Sequence, residues 1–444
     1  MLSPIELCER GLVPDVLARA GMRRLIQQRL DSEEASNPEA RSEAIRQLVT
    51  DWSQGAIAED TDAANAQHYE VPAEFFYRSL GQRLKYSCCY YPQGNETLEQ
   101  AEDAMLALYA ERAQLEDGMR VLDIGCGWGS LTLWMAEHFP NMEIVSVSNS
   151  HGQRQFIEHQ AAERGFKNIH VITCDINAFD PADHDEAAAF DRALSIEMFE
   201  HMRNYRELLR RISGWLKPEG LLFVHIFAHP HLAYPYEDRG DKDWMTRYFF
   251  TGGVMPSQHL LMHFQEHMQI ADHWWVGGQH YEKTSNQWLE RMDAERDSIM
   301  PLFERAYGNA REGRIWFQRW RMFYMAVAEF FGYRDGREWG VGHYLFPPGP
   351  SPSRPPAMRR LTPRPRNGAP VAGAGGGPAG CRDGARPGGG AAVLWLWVHA
   401  GGRQVPLHRT SPASRQRRRC HHRMARGFLG CRWQPDRRKA VPHR

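Results

Sequence analysis

The stretch VLDIGCGWGSL, residues 121–131, places three glycines between a short apolar run and a segment with helical spacing. The apolar run predicts a buried strand, and SLTLWMAEHF, from Ser130, predicts a helix. Glycines in the connecting loop let a ligand approach the backbone, and the start of the helix offers N–H donors. The stretch therefore predicts a strand, a binding loop and a helix, in that order.

The same alternation continues after this stretch. Further apolar runs are EIVSV (143–147), IHVIT (169–173), FDRALSI (190–196) and LLFVHIF (221–227), with helical segments of about ten residues between most of them. Such alternation is typical of a mostly parallel sheet with helices on both faces. Two later strand candidates, MQIADHWWV and EWGVGHYLF, complete a predicted seven-stranded, Rossmann-like α/β sheet.

Other segments surround the predicted sheet. Residues 1–65 are expected to form an N-terminal helical segment, and residues 66–346 the main domain. Thr97 and Gln100 form a capping-box pattern that predicts the start of a helix before the first strand. The aromatic, helix-rich residues at about 229–335 predict a substrate cap inserted before the last two strands.

Residues 347–444 differ sharply in composition from the rest of the chain. They hold nineteen Arg and one Lys against two Asp, with fifteen Pro and fifteen Gly. The formal charge of zero therefore divides into −18 on residues 1–346 and +18 on this tail. Such a composition predicts disorder, because it buries too little apolar surface to offset chain entropy. A frameshifted GC-rich gene end and a genuine basic arm are both open interpretations.

The N-terminus and the cysteines indicate a cytoplasmic protein. MLSPIELCERGLVPDVL lacks the basic start and apolar stretch of a signal peptide, and no apolar run approaches the roughly 20 residues that span a bilayer. The eight Cys include no CxxC pair. His259, His263 and His267 recur at helical spacing, but without an HExxH pattern a solvated helix face is favoured and no metal is predicted.

The residues after the next two strands limit which ligands the glycine loop could bind. A GxGxG loop serves NAD, FAD or S-adenosylmethionine. No acid follows the second strand, where dinucleotide enzymes place a ribose-binding carboxylate, whereas Asn149 and Gln153 could bond a ribose. Asp175, after the third strand, could accept from an adenine amino group. These residues, with Gly125 and Gly127, favour S-adenosylmethionine; other nucleotides and a plain tight turn stay open.

The stretch SIEMFEHMRNY places Glu197, Glu200 and His201 directly after the fourth strand, beside this pocket. If Glu197 begins a helical turn, His201 lies one turn on and on the same face. A Glu–His pair can orient an amine and remove its proton, which N-methylation needs because an alkyl amine is mostly protonated at pH 7. A helix N-terminus with acids that favour its dipole is the alternative.

Ordered motifs between about His68 and Phe346 resemble a known family. They are HYEVPAEFF, LKYSCCYY, TLEQAEDAMLALYAERA, VLDIGCGWGSL, SIEMFEHMRNY, WLKPEGLLFVH, DWMTRYFFTGGVMPS and WRMFYMAVAEFFGY. The chain resembles the cyclopropane fatty acid synthase superfamily of S-adenosylmethionine-dependent methyltransferases, and within it the coclaurine N-methyltransferase group with its bacterial relatives. The resemblance implies a class I methyltransferase sheet. It also implies cofactor contacts at Ser87, Gly125, Asn149, Gln153, Asp175 and Ile176.

The resemblance also implies roles for the residues after the fourth strand. Glu197 and His201 match residues that serve the substrate amine. Lipid-cyclopropanating members commonly carry Gly at the position of Glu197, and they hold a bicarbonate base with residues that match Glu200 and His225 and with a Tyr that resembles Tyr324. This sequence keeps those three and adds Glu197, so the resemblance favours amine methylation.

We therefore predict an S-adenosylmethionine-dependent methyltransferase that N-methylates a small aromatic or apolar amine, with Glu197, His201 and Glu200 as catalytic candidates. The aromatic character of the acceptor is suggested by four cap residues: Tyr248, Trp274, Trp275 and Tyr324. The alternatives are a cyclopropane synthase acting on phospholipid acyl chains at a membrane surface, and a nucleic-acid-binding protein using the Arg-rich tail. The expected partners are the small amine and a possible homodimer, with no nucleic acid for the body.

Overall fold

The centre of the computed structural model, which describes residues 2–33, 37–59, 71–237, 240 and 243–349, is a seven-stranded sheet. Its strands are β1 (Arg120–Ile124), β2 (Glu143–Ser148), β3 (Ile169–Thr173), β4 (Phe190–Ile196), β5 (Leu216–Ala228), β8 (Asp272–Gly277) and β9 (Gly340–Phe346); β6 (Tyr234–Pro235) and β7 (Val254–Met255) form a separate ribbon. The strand order is β3-β2-β1-β4-β5-β9-β8, with β1 to β5 parallel and β9 antiparallel to both neighbours. This confirms the predicted sheet.

Helices precede the sheet, cover it and form the cap. They are α1 (Pro4–Glu9), α2 (Asp15–Ser32), α3 (Pro38–Trp52), α4 (Ala73–Ser79), α5 (Leu98–Ala113), α6 (Ser130–His138), α7 (His151–Arg164), α8 (Tyr205–Trp215), α9 (Trp244–Phe249), α10 (Gly278–Ala294), α11 (Arg296–Ala306), α12 (Ala310–Phe331) and α13 (Tyr333–Gly336). The Thr97 hydroxyl accepts from the Gln100 backbone N–H at the start of α5, which confirms the predicted capping box.

Both faces of the sheet are buried, which explains why its strands are nearly continuous apolar runs. In β1, Val121 belongs to the hydrophobic core on one face, whereas Leu122 and Ile124 belong to the core on the other. The switch point of this sheet lies between β1 and β4, because the chain runs outward from them in opposite directions. Open α/β sheets bind ligands at the carboxyl ends of the strands at this point.

The cap is divided around β8, so the prediction that all of it precedes the last two strands is wrong. Helix α9 and the β6–β7 ribbon lie between β5 and β8, whereas α10, α11 and α12 lie between β8 and β9. The physical reason is that β9 pairs with both β5 and β8, and the chain leaves the sheet after β8 before it returns to fill that gap. Gly277 and Gly340, at the two ends of the excursion, are direct cross-strand partners.

The main domain continues three residues beyond its predicted end at Phe346. Gln269 N donates to Pro347 O at 3.1 Å, and Gly349 N donates to His267 O at 2.7 Å. The rest of the predicted tail and the predicted boundary at residue 65 lie outside the described residues. In the part of the chain that the structure describes, no helix is long and apolar enough to cross a membrane.

Candidate active site

The loop between β1 and α6 is shaped by glycines with left-handed backbone. Gly125 and Gly127 have φ values of +82° and +53°. The amides of Gly125 and Cys126 both donate to Val147 O at 3.0 Å, which fixes the loop against the end of β2. A Cβ added at Gly127 would meet no atom within 4 Å, so this residue borders open space that a ligand can fill.

Two cavities meet beside this loop. Among the predicted residues, the larger is lined by Ser87, Gly125, Gly127, Gln153, Glu197, Glu200 and His201. The second adds Asn149, Asp175 and Ile176. Gly125, Gly127, Gln153, Glu197 and His201 line both cavities. The structure therefore brings every predicted catalytic and cofactor-binding residue to one continuous site.

The donors and acceptors around the second cavity fit S-adenosylmethionine. Gln153 is 1% exposed, and its Oε1 accepts from Ser148 Oγ at 2.7 Å. Its buried Nε2 has no hydrogen-bond partner among the described residues, although an unpaired buried donor is costly. A ribose hydroxyl or a carboxylate of the cofactor would satisfy this donor. Asp175 lies after β3, and no acid from the end of β2 lines this cavity.

Glu197 does not begin a helical turn, and the prediction that it does is wrong. Its backbone is left-handed, with φ +47°, and the 3₁₀ turn begins only at Phe199. The reason is that Glu197 N donates to His225 O at 2.8 Å, which extends the pairing of β4 with β5 by one residue. A left-handed backbone at a non-glycine residue costs roughly 1–3 kcal/mol, and such strain is concentrated at functional sites.

The Glu197 carboxylate is held by three hydrogen-bond partners from three different segments. Oε1 accepts from the Cys88 backbone N–H at 2.9 Å and lies 3.0 Å from His225 Nε2. Oε2 accepts from the Tyr281 hydroxyl at 2.7 Å. The side chain is only 9% exposed, so its position is determined by these contacts and not by solvent.

Two carboxyl groups in this site have pKa values raised by burial. Burial and the nearby Glu197 charge raise the pKa of Glu200 well above its ordinary value, and Glu200 Oε2 has no hydrogen-bond partner among the described residues. Burial also raises the pKa of Glu197, but the Lys85 charge, the Cys88 N–H and the Tyr281 hydroxyl oppose that effect. We therefore expect Glu197 to ionise at a lower pH than Glu200.

The sequence analysis missed Lys85, which lines the larger cavity and is 1% exposed. Its ammonium donates to Ser87 Oγ at 2.5 Å and to Cys88 O at 2.7 Å, and it lies 5.1 Å from the centre of the Tyr109 ring. A buried cation close to Glu197 offsets part of the cost of burying a carboxylate. The residue stands within the quoted motif LKYSCCYY, so a buried-charge argument could have singled it out.

Tyr281, and not Tyr324, is the tyrosine whose hydroxyl contacts the Glu197 carboxylate. The prediction for Tyr324 is wrong, because its hydroxyl lies 3.2 Å from Ser79 Oγ and its ring packs against Trp288 and Trp320 in the core. Tyr324 lines neither of the two cavities. His225, the other residue matched to the lipid enzymes, is fully buried at the Glu197 carboxylate.

The other three cap aromatics also lie elsewhere. Arg319 covers the Tyr248 ring at 4.1 Å, Arg112 lies 5.0 Å from the Trp274 ring, and the Trp275 ring packs over Gly340. The aromatic wall of the larger cavity is instead formed by Phe227, Tyr236, Phe250, Tyr281, Trp288, Phe323, Phe330 and Phe331. The four aromatic residues named from the cap composition therefore do not line this cavity, because periodicity cannot tell which rings face inward.

The three histidines at four-residue spacing do not share a helical face. His259 precedes and His263 ends a four-residue 3₁₀ turn, Leu260–His263, and His267 follows in irregular backbone. Phe264 and Met268 are buried there, so the chain follows its apolar residues and not a helical repeat. Within the described ranges, no group of three or more His, Cys, Asp or Glu side chains comes together in a way that could hold a metal ion.

The sheet order, the glycine loop at the switch point and the polar residues after β2 and β3 define a class I, S-adenosylmethionine-dependent methyltransferase. Residues 58–330 match the family described as Mycolic acid cyclopropane synthetase, and the chain belongs to that family. It is also similar to (S)-coclaurine N-methyltransferase of Thalictrum flavum subsp. glaucum, with 39% identity over 345 residues that cover 77% of this chain and 94% of the relative.

Two further comparisons place the fold. A crystal structure of coclaurine N-methyltransferase bound to N-methylheliamine and SAH matches with a TM-score of 0.73 at 39% identity, covering 77% of this chain and 97% of that one. Cyclopropane-fatty-acyl-phospholipid synthase of Escherichia coli (strain K12) is 30% identical over 278 residues, which are 62% of this chain and 66% of that enzyme. The predicted superfamily, fold and co-substrate are therefore confirmed.

Proposed function

We propose that this methyltransferase N-methylates a small aromatic or apolar amine at the junction of the two cavities. The observation that carries the proposal is the Glu197 carboxylate, an ionisable acid held between the predicted cofactor residues and an aromatic wall. One of the relatives named above supports an amine acceptor, because (S)-coclaurine N-methyltransferase is 39% identical over 77% of this chain.

The residues of the site supply what an amine acceptor needs. S-adenosylmethionine, when bound, supplies a methyl group on a positively charged sulfur. Ionised Glu197 attracts the ammonium form of the amine and can take up its proton, which frees the nitrogen lone pair to attack the methyl group. His201, whose ring stacks on Phe250 with centroids 6.0 Å apart, lies at the border of both cavities and is a second candidate to accept that proton. Protonated Glu200 can donate a hydrogen bond beside them.

The aromatic wall supports the same substrate class. Aromatic side chains exclude water from the amine, which strengthens its attraction to Glu197. Ring faces also attract cations within about 6 Å of their centres. Positioning and desolvation of this kind can contribute roughly 7–11 kcal/mol to a two-substrate reaction.

A lipid acceptor is disfavoured by the position of Glu197. In the lipid enzymes that the sequence resembles, a separate anion serves as the base. Here the carboxylate of Glu197 already accepts from the Cys88 amide and the Tyr281 hydroxyl and contacts His225. These groups are therefore not available to a second anion in the folded protein.

The experiment that tests the proposal measures S-adenosylhomocysteine release with a panel of acceptors. The panel contains heliamine, simple dialkyl amines and vesicles of unsaturated phospholipid. Release with an aromatic amine, together with a mass increase of one methyl group on its nitrogen, supports the proposal. Release with the vesicles alone would contradict it. The homodimer stays a prediction, which light scattering of the purified protein tests.

A further inference from the structure

A line of hydrogen bonds runs from α5 across the neighbouring strands β9 and β5 and ends at Glu197. Arg112 Nη1 lies 2.5 Å from His343 Nδ1, and His343 Nε2 lies 2.9 Å from His225 Nδ1. His225 Nε2 then lies 3.0 Å from Glu197 Oε1. His225 and His343 are direct cross-strand partners in β5 and β9, and both are fully buried. We call Arg112, His343 and His225 the histidine relay.

The direction of this relay is fixed by Arg112. A guanidinium only donates hydrogen bonds, so His343 Nδ1 must accept. Burial and the charges of Lys85 and Arg112 hold the pKa of both imidazoles well below the ordinary value, so both rings are neutral. Neutral His343 then carries its proton on Nε2 and donates it to His225 Nδ1. His225 must in turn carry its proton on Nε2, which faces Glu197.

A fourth contact is compatible with this direction but does not fix it. The Tyr109 hydroxyl lies 2.9 Å from His225 Nδ1, and because a hydroxyl both donates and accepts, this contact suits either tautomer of His225. On the outer side, the Trp274 ring covers the Arg112 guanidinium at 5.0 Å. Trp274 is the cross-strand partner of His343 in the β8–β9 pair. The two histidines of the relay are fully buried, whereas Arg112 at its outer end is partly exposed.

We propose that Arg112 and His343 are positioning residues that keep the His225 proton on Nε2 and thereby hold Glu197 as an ionised base. This inference rests on the proposed function of Glu197. With the opposite tautomer, the His225 Nε2 lone pair would face the carboxylate, and Glu197 would have to take up a proton. The residues act through His225, so neither of them touches the amine.

Two substitutions of His343, by Leu and by Gln, distinguish this positioning role from a role in packing. His343→Leu removes the donor, whereas His343→Gln keeps an amide N–H that can reach His225 Nδ1. We expect His343→Leu to lower kcat roughly tenfold and to move the acid limb of the kcat–pH profile upward by about one unit, with KM for the amine nearly unchanged. His343→Gln should retain most of the wild-type kcat. His273→Leu, on the opposite face of the neighbouring strand, is the matched control.

The shift of the pH profile is interpretable because the other charged or titratable groups near Glu197 stay in place. They are Lys85 and Cys88 before α5, Tyr109 on α5, Glu200 and His201 after β4, and Tyr281 on α10. An equal loss of kcat in His343→Leu and His343→Gln, with an unmoved profile, would show a purely structural role and overturn the proposal.

A spectroscopic readout keeps this proposal distinguishable from the proposed function. Nitrogen-15 NMR of histidine-labelled protein reports which ring nitrogen of His225 carries the proton, with no amine present. We expect protonated Nε2 in the wild type and in His343→Gln, and a mixture of tautomers in His343→Leu and Arg112→Met. Protonated Nδ1 in the wild type would overturn the relay, even in a protein that methylates amines. If the wild type shows the expected tautomer but its Glu197→Gln variant is fully active, the proposed function is refuted and the relay is not.

Discussion

Glu197 and His225 are joined twice, once through the backbone and once through their side chains. Glu197 N donates to His225 O at 2.8 Å, and His225 Nε2 lies 3.0 Å from Glu197 Oε1. The backbone bond holds Glu197 in its left-handed conformation, and the side-chain bond fixes where its carboxylate points. An acid positioned by two contacts with one neighbour cannot rotate away when a charged amine enters.

Replacing Glu197 with Gln should lower kcat while S-adenosylmethionine affinity stays nearly intact. Because burial raises the pKa of Glu197, wild-type kcat should rise with pH above the usual carboxylate range, as this acid ionises. The Gln variant lacks that step, and its rate should recover only at high pH, where the amine loses its proton unaided. A deficit that is equal at every pH would argue against proton removal and leave orientation of the amine as the role.

Replacing Glu197 with Gly should create an activity that depends on added anion. Glycine accepts the φ of +47° without strain, and the deletion leaves the Cys88 N–H, His225 Nε2 and Tyr281 O–H aimed at one empty space. Formate or bicarbonate should therefore restore part of the lost kcat in a saturable way. Chloride at equal ionic strength is the control, and equal rescue by chloride would contradict this explanation.

A pair of Tyr→Phe variants tests which tyrosine hydroxyl supports the Glu197 carboxylate. Tyr281→Phe removes a hydrogen bond to a charged group, worth roughly 1.5–3 kcal/mol, and should lower kcat about tenfold. Tyr324→Phe removes only a contact with Ser79 and should leave kcat within about twofold. Steady-state kinetics of both variants decide the matter, and the reverse order of effects would refute the assignment.

A pair of glycine variants tests the cofactor loop. Gly127→Asn fills the open space beside the cavities, and asparagine tolerates the φ of +53°. We expect calorimetry to show at least tenfold weaker S-adenosylmethionine binding. Gly118→Asn is the matched control, because Gly118 also has positive φ and open surroundings but lines neither cavity. Equal affinities in the two folded variants would disprove the placement of the cofactor.

Two truncations test the end of the domain. A chain ending at Gly349 should keep the activity and the melting temperature of the full chain, because the composition of residues 350–444 predicts disorder. A chain ending at Phe346 loses the hydrogen bonds of Pro347 and Gly349 with residues 267–269, and it should lose about 1–3 kcal/mol of stability. Thermal melting of the three proteins measures both effects. A less stable 1–349 chain would mean that later residues pack on the domain.

The strands could be predicted closely because each apolar run is bounded by polar or glycine residues. β3 and β4 have the predicted limits, and the loop after β1 follows from its glycines. Strand β5 begins earlier than predicted, at Leu216, because Phe190 pairs with that residue across a register shift in β4. Pairing between distant segments of this kind leaves no trace in local periodicity.

The candidate site was predictable in its residues but not in its chemistry. The positions after the strands identified Glu197 and Asp175, since strand ends of a parallel sheet meet at one edge. The left-handed backbone of Glu197 depends on a β5 carbonyl, and its hydroxyl partner, Tyr281, lies 84 residues further along the chain. Burial raises the Glu200 pKa, but burial itself is a property of the assembled fold.

The direct pairing of Gly277 with Gly340 makes the long cap excursion a detachable module. Its two chain ends are paired residues of β8 and β9, so the segment α10–α12 can be replaced without changing the register of the sheet. The floor, with Glu197 and the glycine loop, would stay constant while α10–α12 are exchanged with those of a relative. The chimaera should then show the acceptor preference of the protein that supplied α10–α12. Every such segment would have to keep the Tyr281 hydroxyl.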